Sequence, residues 1–120
     1  MGVLFESFEK MKVWQQADEV ALKIYIRLRP CKDYGYKDQI QRAAVSVMNN
    51  IAEGFERGSK NSFINYLLIA KGSCGEVRSM LILGHQLGYF SETDYRELFE
   101  KVIENSRMLQ GLVNSLNSTR

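Results

Sequence analysis

The sequence predicts an all-α protein, an antiparallel up-down four-helix bundle. Three observations predict it. Apolar residues recur at three- and four-residue intervals over four long segments. The joints between segments are short, which places consecutive helices side by side. Strand punctuation such as Asn-Gly or Asp-Gly is missing, and Pro30 is the single proline in 120 residues.

The first segment, about Lys12 to Arg29, carries Val13, Ala17, Val20, Ile24 and Leu28 on one stripe, broadened by Trp14, Ala21 and Tyr25. Pro30 disfavours helical geometry at the residue before it and sets the stop. Residues 30–36, PCKDYGY, read as the first joint. The second helix then runs from near Lys37 to Glu56 or Arg57, burying Ile40, Ala43, Ala44, Val47, Ile51 and Phe55. Gly58 supplies a left-handed closing residue and Ser59 caps the third helix.

The third helix, about Lys60 to Leu87, is apolar on more faces than a lone bundle needs. Its middle, AKGSCGE, is rich in small residues. Interior Gly72 and Gly75 each cost about 0.5–1 kcal/mol relative to alanine, so close approach of a neighbouring helix is expected there. Gly88 closes this helix, and Ser91 opens the fourth with Asp94 as a weak capping box. Tyr95, Leu98, Val102, Ser106, Leu109, Val113 and Leu116 form its expected seam.

Length and composition fit one domain, residues 1–120, with residues 1–11 as an N-terminal extension. Cys31 and Cys74 lack the spacing of a disulfide framework or zinc site and read as thiols in a reducing compartment. Cys74 is expected in the core and Cys31 in a loop. The opening MGVLFESFEKMK lacks a basic start, and no apolar run approaches a membrane span. A cytoplasmic protein without membrane contact is expected.

Catalytic and metal chemistry find little footing. The dicarboxylate metal sites of helical bundles need Glu-x-x-His repeats, whereas the one histidine, His85, follows Ile82 at that spacing. GFERGSK lacks the spacing of a phosphate-cradling loop. No enzyme activity, cofactor or metal is expected.

Charge is more informative. The net charge is only +2, but residues 10–60 hold ten Lys/Arg against six Asp/Glu. Lys23, Arg27, Arg29, Lys32 and Lys37 cluster around the end of the first helix, interleaved with Tyr25, Tyr34 and Tyr36; Arg42 lies further along. Cations neutralise phosphates and aromatic faces stack on unpaired bases, so this set is the candidate surface for RNA or DNA. The plain alternative is a solvated helix end whose cations suit the helix dipole. A symmetric oligomer would repeat the patch around an axis.

The stretch Gln39–Ser59, QIQRAAVSVMNNIAEGFERGS, resembles the signature of the four helix bundle protein family, encoded by intervening sequences within bacterial 23S rRNA genes. The resemblance continues through Val13–Ala17, Phe63–Ser73, Glu76 and Leu87–Tyr89. It implies a four-helix bundle that assembles as a homopentamer and has no established enzymatic activity. A related branch is the accessory variability protein of diversity-generating retroelements, a basic pentameric barrel that binds a reverse transcriptase and nucleic acid. Gln41 stands where many members have a second basic residue beside Arg42. The expected function is a non-enzymatic oligomeric scaffold that binds RNA or ribonucleoprotein through basic patches; a reverse-transcriptase accessory subunit is the alternative. In a pentamer, the extra apolar faces of the third helix and its Gly72, Ser73 and Gly75 suit subunit packing.

Within the signature, Asn49 and Asn50 sit inside a helix although asparagine's amide competes for the backbone. Adjacent positions are about 100° apart on a helix, so the two face different surroundings. Asn50, Glu53 and Gly54 fall near one side. They are expected to form a polar fixture for folding and assembly, meeting the third helix near Ser73 or Glu76, with Asn49 more exposed.

Overall fold

Three side-chain caps set the helix starts. Asp33 accepts from the Tyr36 amide at 3.2 Å, Ser59 from that of Ser62 at 3.1 Å, and Ser91 from that of Asp94 at 3.1 Å. The computed structural model describes residues 6–118. Among them, regular structure is helical throughout: a 3₁₀ turn at Phe8–Lys10, then α1 (Lys12–Arg27), α2 (Tyr34–Glu56), α3 (Lys60–Gln86) and α4 (Glu92–Asn117). Gly58 and Gly88, at φ of 81° and 77°, close α2 and α3 in the left-handed region that glycine enters without strain.

Two boundaries differ from the sequence reading. α1 ends at Arg27, two residues early, and Leu28 tucks into the core beyond it. α2 starts at Tyr34 instead of Lys37, because Asp33 caps it and Tyr36, expected in a loop, is buried.

Each helix touches two others. α2 and α3 meet most extensively, followed by α3 with α4 and α1 with α2; α1 with α4 is the thinnest contact. In the diagonal pairs, α1 with α3 and α2 with α4, no Cα atoms come within 8 Å of each other. Along the α2–α3 contact, Tyr36 reaches Met80, Ser46 meets Ser73, and Gly54 lies against Tyr66. The molecule measures 48 × 20 × 19 Å.

The predicted stripes converge on one core, in which Ile24, Leu28, Ile40, Ile51, Leu67 and Leu81 are fully buried. Each such side chain contributes about 1.5–3 kcal/mol relative to exposure. Cys74 lies in this core and Cys31 at its edge. Met11 belongs to the core as well, and Phe8 packs edge-on against Trp14 at 5.3 Å, so these residues of the N-terminal stretch pack on the bundle. Residues 1–5, on which the expectation of no leader segment partly rested, lie outside the described residues.

The seam of α4 passes through Asn105, 2 % exposed, and not through Ser106. The glycines also trade roles. A Cβ on Gly72 or Gly75 would meet nothing within 4 Å, so no helix of this chain approaches there. Close approach occurs instead at Gly54 and Gly84, where a Cβ would stand 2.6 Å from that of Tyr66 and 2.0 Å from the Tyr36 hydroxyl. Among the described residues no helix is long and apolar enough to cross a membrane.

Candidate functional site

The basic residues around the end of α1 divide into two groups. Lys23 and Arg27 lie one helical turn apart, on the flank of α1 that faces α4. There Lys23 pairs with Glu97, and Arg27 meets Asp94 at 3.2 Å. Lys101 of α4 returns the arrangement by pairing with Glu19. These cations tie α1 to α4, and their charge is largely answered within the chain. Arg42 pairs with Asp38 at 2.9 Å on the exposed face of α2, a contact worth little in water.

Arg29, Lys32 and Lys37 remain around the α1–α2 connection and make no ion pair among the described residues. Arg29 and Lys32 are exposed. Lys37 donates to the Arg29 carbonyl at 3.4 Å and stands 6.0 Å from the centre of the Tyr34 ring. Tyr34 is 69 % exposed. Tyr25 is exposed too, whereas Tyr36 turns inward and donates to the Met80 carbonyl at 2.5 Å. The acid among these cations, Asp33, is drawn to helix ends: it accepts from the Tyr89 hydroxyl at 2.6 Å and from the Tyr36 amide. The Tyr89 bond, followed by the amide bond, holds its carboxyl below the usual carboxylate range.

The polar signature splits as well. Asn50 donates back one turn to the carbonyl and hydroxyl of Ser46, at 2.8 and 3.0 Å. The Ser46 hydroxyl meets that of Ser73 at 2.8 Å, so Asn50 reaches α3 through an intermediary that the spacing did not single out. Glu53 accepts from Arg57 at 2.8 Å and from the Tyr66 hydroxyl at 3.1 Å, near the α2–α3 joint. The Arg57 bond first, then Tyr66, lowers its carboxyl below the ordinary value. Asn49 and Glu76 are exposed. Glu76 does not join Asn50 or Glu53, because its position on α3 points it outward. Ser73 is buried against Ser46 and so is not on the outer face with Gly72 and Gly75.

Asn105 forms a third polar cluster that the sequence reading missed. Its amide donates to the Val13 carbonyl at 2.9 Å and to Gln16 at 3.0 Å, and its oxygen accepts from the Cys74 thiol at 3.5 Å. A strict three-four spacing counted from Leu98 and Val102 falls on Asn105, and that signal was available. Burial pushes the Cys74 thiol up to about 12, so the sulfur stays protonated and acts as a small core group.

Among the described residues no group of three or more His, Cys, Asp or Glu side chains converges on a point where a metal could sit. His85 stacks on Tyr95 at 4.0 Å and lies 3.2 Å from Glu92, joining the end of α3 to the start of α4. The void between the four helices, lined by Ala17, Val47, Cys74, Val102 and Asn105 among others, measures about 10 Å³. It has room for one water at most.

Residues 9–111 match the family described as 23S rRNA-intervening sequence protein. Among solved structures, a protein with unknown function from the S23 ribosomal protein family of Bacteroides thetaiotaomicron is similar, with a TM-score of 0.78 and 27 % identity. That match covers 84 % of this chain and 97 % of the other. Among curated proteins none matches the chain.

Proposed function

The chain belongs to the 23S rRNA-intervening sequence protein family, and from that premise we propose that it is a non-enzymatic, self-assembling scaffold that binds RNA. The helices run up and down in antiparallel order, a reading supported by the way the start of α2 meets the end of α3. Copies assemble as a homopentamer, in keeping with the exposed apolar side chains on the outer face of α3. RNA or ribonucleoprotein is held at the basic end of each copy.

One observation carries the RNA reading: Arg29, Lys32 and Lys37 converge on one end of the molecule without an ion-pair partner among the described residues, beside the exposed ring of Tyr34. Lysine and arginine that have no carboxylate to leave can neutralise phosphates and release counterions. An exposed tyrosine adds a stacking face for an unpaired base. Five copies around an axis would present fifteen such cations on one rim, which offsets the small net charge of a single chain.

The test is binding of a structured RNA hairpin and of single-stranded RNA across a salt series. Affinity should fall steeply with salt, and the pair Arg29→Glu and Lys32→Glu should weaken binding and flatten the salt slope. Arg27→Glu, whose parent side chain is held by Asp94, should change stability more than RNA affinity. Binding indifferent to Arg29→Glu and Lys32→Glu would remove the proposed surface. A reverse transcriptase recovered with the purified protein would favour the accessory-subunit reading instead.

A further inference from the structure

Exposed large apolar side chains are not spread evenly over the bundle. Apart from Tyr34 at the start of α2 and Leu87 just after α3, those among the described residues lie on two helices: Leu22 and Tyr25 on α1, and Leu68, Ile69, Ile82 and Leu83 on α3. These two helices are a diagonal pair across the bundle. Their outer faces therefore look in opposite directions, and neither can be covered by the other within one chain.

We propose that the two faces are the halves of a single contact between copies: the outer face of α1 in one copy lies along the outer face of α3 in the next. This rests on the self-assembly reading above and specifies its interface. On α1, Asp18, Leu22 and Tyr25 recur at four- and three-residue steps, the spacing of a helix–helix seam. On α3, Leu68 and Ile69 at one end and Ile82 and Leu83 at the other flank a shallow saddle at Gly72 and Gly75. Nothing in the chain itself lies within 4 Å of a Cβ placed there. Leu22, 59 % exposed, is the most exposed apolar side chain of the α1 face.

Charge complementarity supports the same pairing. Rotation about an axis along the bundle preserves helix direction, so α1 of the neighbour runs parallel to α3. The same rotation preserves height. Through α4, which meets α1 at Lys23–Glu97 and Arg27–Asp94 and α3 at His85–Tyr95 and Cys74–Asn105, Leu22 stands level with Ile82. In the neighbour it therefore meets Ile82 and Leu83, and Asp18 falls level with Arg78. Asp18 and Arg78 make no ion pair among the described residues, so both are available. Across the contact each is the other's counter-charge. A contact of α3 with itself would instead leave Leu22 and Tyr25 bare and would stop at two copies, whereas two different faces propagate from copy to copy and close as a ring when the rotation between copies closes.

The experiment uses the full chain, with mass read by light scattering at a concentration where the unsubstituted protein is fully assembled. Leu22→Asp spoils the α1 face and Leu83→Asp the α3 face; each alone should reduce the mass to one chain while helix content is retained. Mixed in equal amounts, they keep one intact contact, the α3 face of the first with the α1 face of the second, and should give a dimer and nothing larger. An oligomer that is indifferent to Leu22→Asp, or a mixture that stays monomeric, overturns the pairing but leaves self-assembly standing. An unsubstituted protein with the mass of one chain overturns self-assembly itself. Should an aspartate variant fail to fold, Leu22→Cys combined with Ile82→Cys in one chain should give an oxidised ladder of linked copies that neither single variant gives. Absence of that ladder counts against the pairing.

Discussion

The Tyr36 hydroxyl occupies the space that a side chain on Gly84 would need. It donates to the Met80 carbonyl at 2.5 Å, and a Cβ on Gly84 would stand 2.0 Å from the hydroxyl oxygen and 2.7 Å from the ring carbon that bears it. The start of α2 is thus keyed to the end of α3 by one phenol and one missing methyl group. Gly84→Ala should destabilise the fold by about 1–3 kcal/mol through overpacking, even though alanine is the better helix former. A melting curve checks this. Because both residues act on the same space, pairing Gly84→Ala with Tyr36→Leu should cost less than the two changes added together.

Asp33 gives the fold a defined acid limb. Its carboxyl is held below the usual range by the Tyr89 hydroxyl and then by the Tyr36 amide, so folding favours the charged form. That contribution is fully present above the unfolded value of about 4 and is lost as pH falls through the lower folded value. Asp33→Asn should therefore lower the melting temperature at neutral pH and converge on the parent protein at the acid end. Tyr89→Phe should shift the same limb, since it removes the larger of the two bonds.

The amide of Asn105 is the polar centre of the α1–α3–α4 junction. Asn105→Ala removes a donor from Val13 and Gln16 and an acceptor from Cys74, and should cost about 1–3 kcal/mol. Asn105→Asp should be worse at pH 7 than at pH 5, because burial opposes a charged carboxylate. Equal stability of the aspartate variant at the two pH values would contradict the burial seen here.

Asn50 should matter to stability rather than to any reaction. Asn50→Leu removes both bonds to Ser46 and leaves that serine with Ser73 alone, a loss of about 1 kcal/mol for the bonds. Ser73→Ala should act in the same direction from the α3 side. An Asn50→Leu protein with unchanged melting curve and unchanged mass would refute the role.

Much of the fold was legible because it is written in local signals. Ser59 and Ser91 announce two helix starts, Gly58 and Gly88 announce two ends, and the stripe from Val13 to Leu28 reads directly as a buried face. The α2 start was not legible in the same way. Tyr34, Gly35 and Tyr36 look like loop residues until Tyr36 finds its place against Met80, a partner 44 positions away. The glycines show the same division: sequence marks Gly72 and Gly75 as costly, but only the arrangement of helices reveals that Gly54 and Gly84 are the ones pressed upon.

The candidate surface was legible in outline and not in its membership. Lys23, Arg27, Arg29, Lys32 and Lys37 are equivalent as a run of cations. Their fates depend on Asp94 and Glu97, dozens of residues further along, which claim the first two through the packing of α1 on α4. Composition records the charges, while pairing decides which of them remain available to a phosphate.

The unequal contacts between helices also set an order of local opening. α2 and α3, joined by residues 57–59, meet most extensively, whereas α1 meets α4 thinly, with ion pairs at the surface around the buried Asn105. In amide-exchange terms α2 and α3 form the slowest unit, and α1 belongs to the first to exchange. α1 carries the Leu22 face, and Arg29 lies two residues beyond the helix end. The proposed binding and assembly surfaces thus border the least anchored helix of the bundle, and a bound RNA or neighbouring copy would be expected to slow its exchange more than that of any other segment.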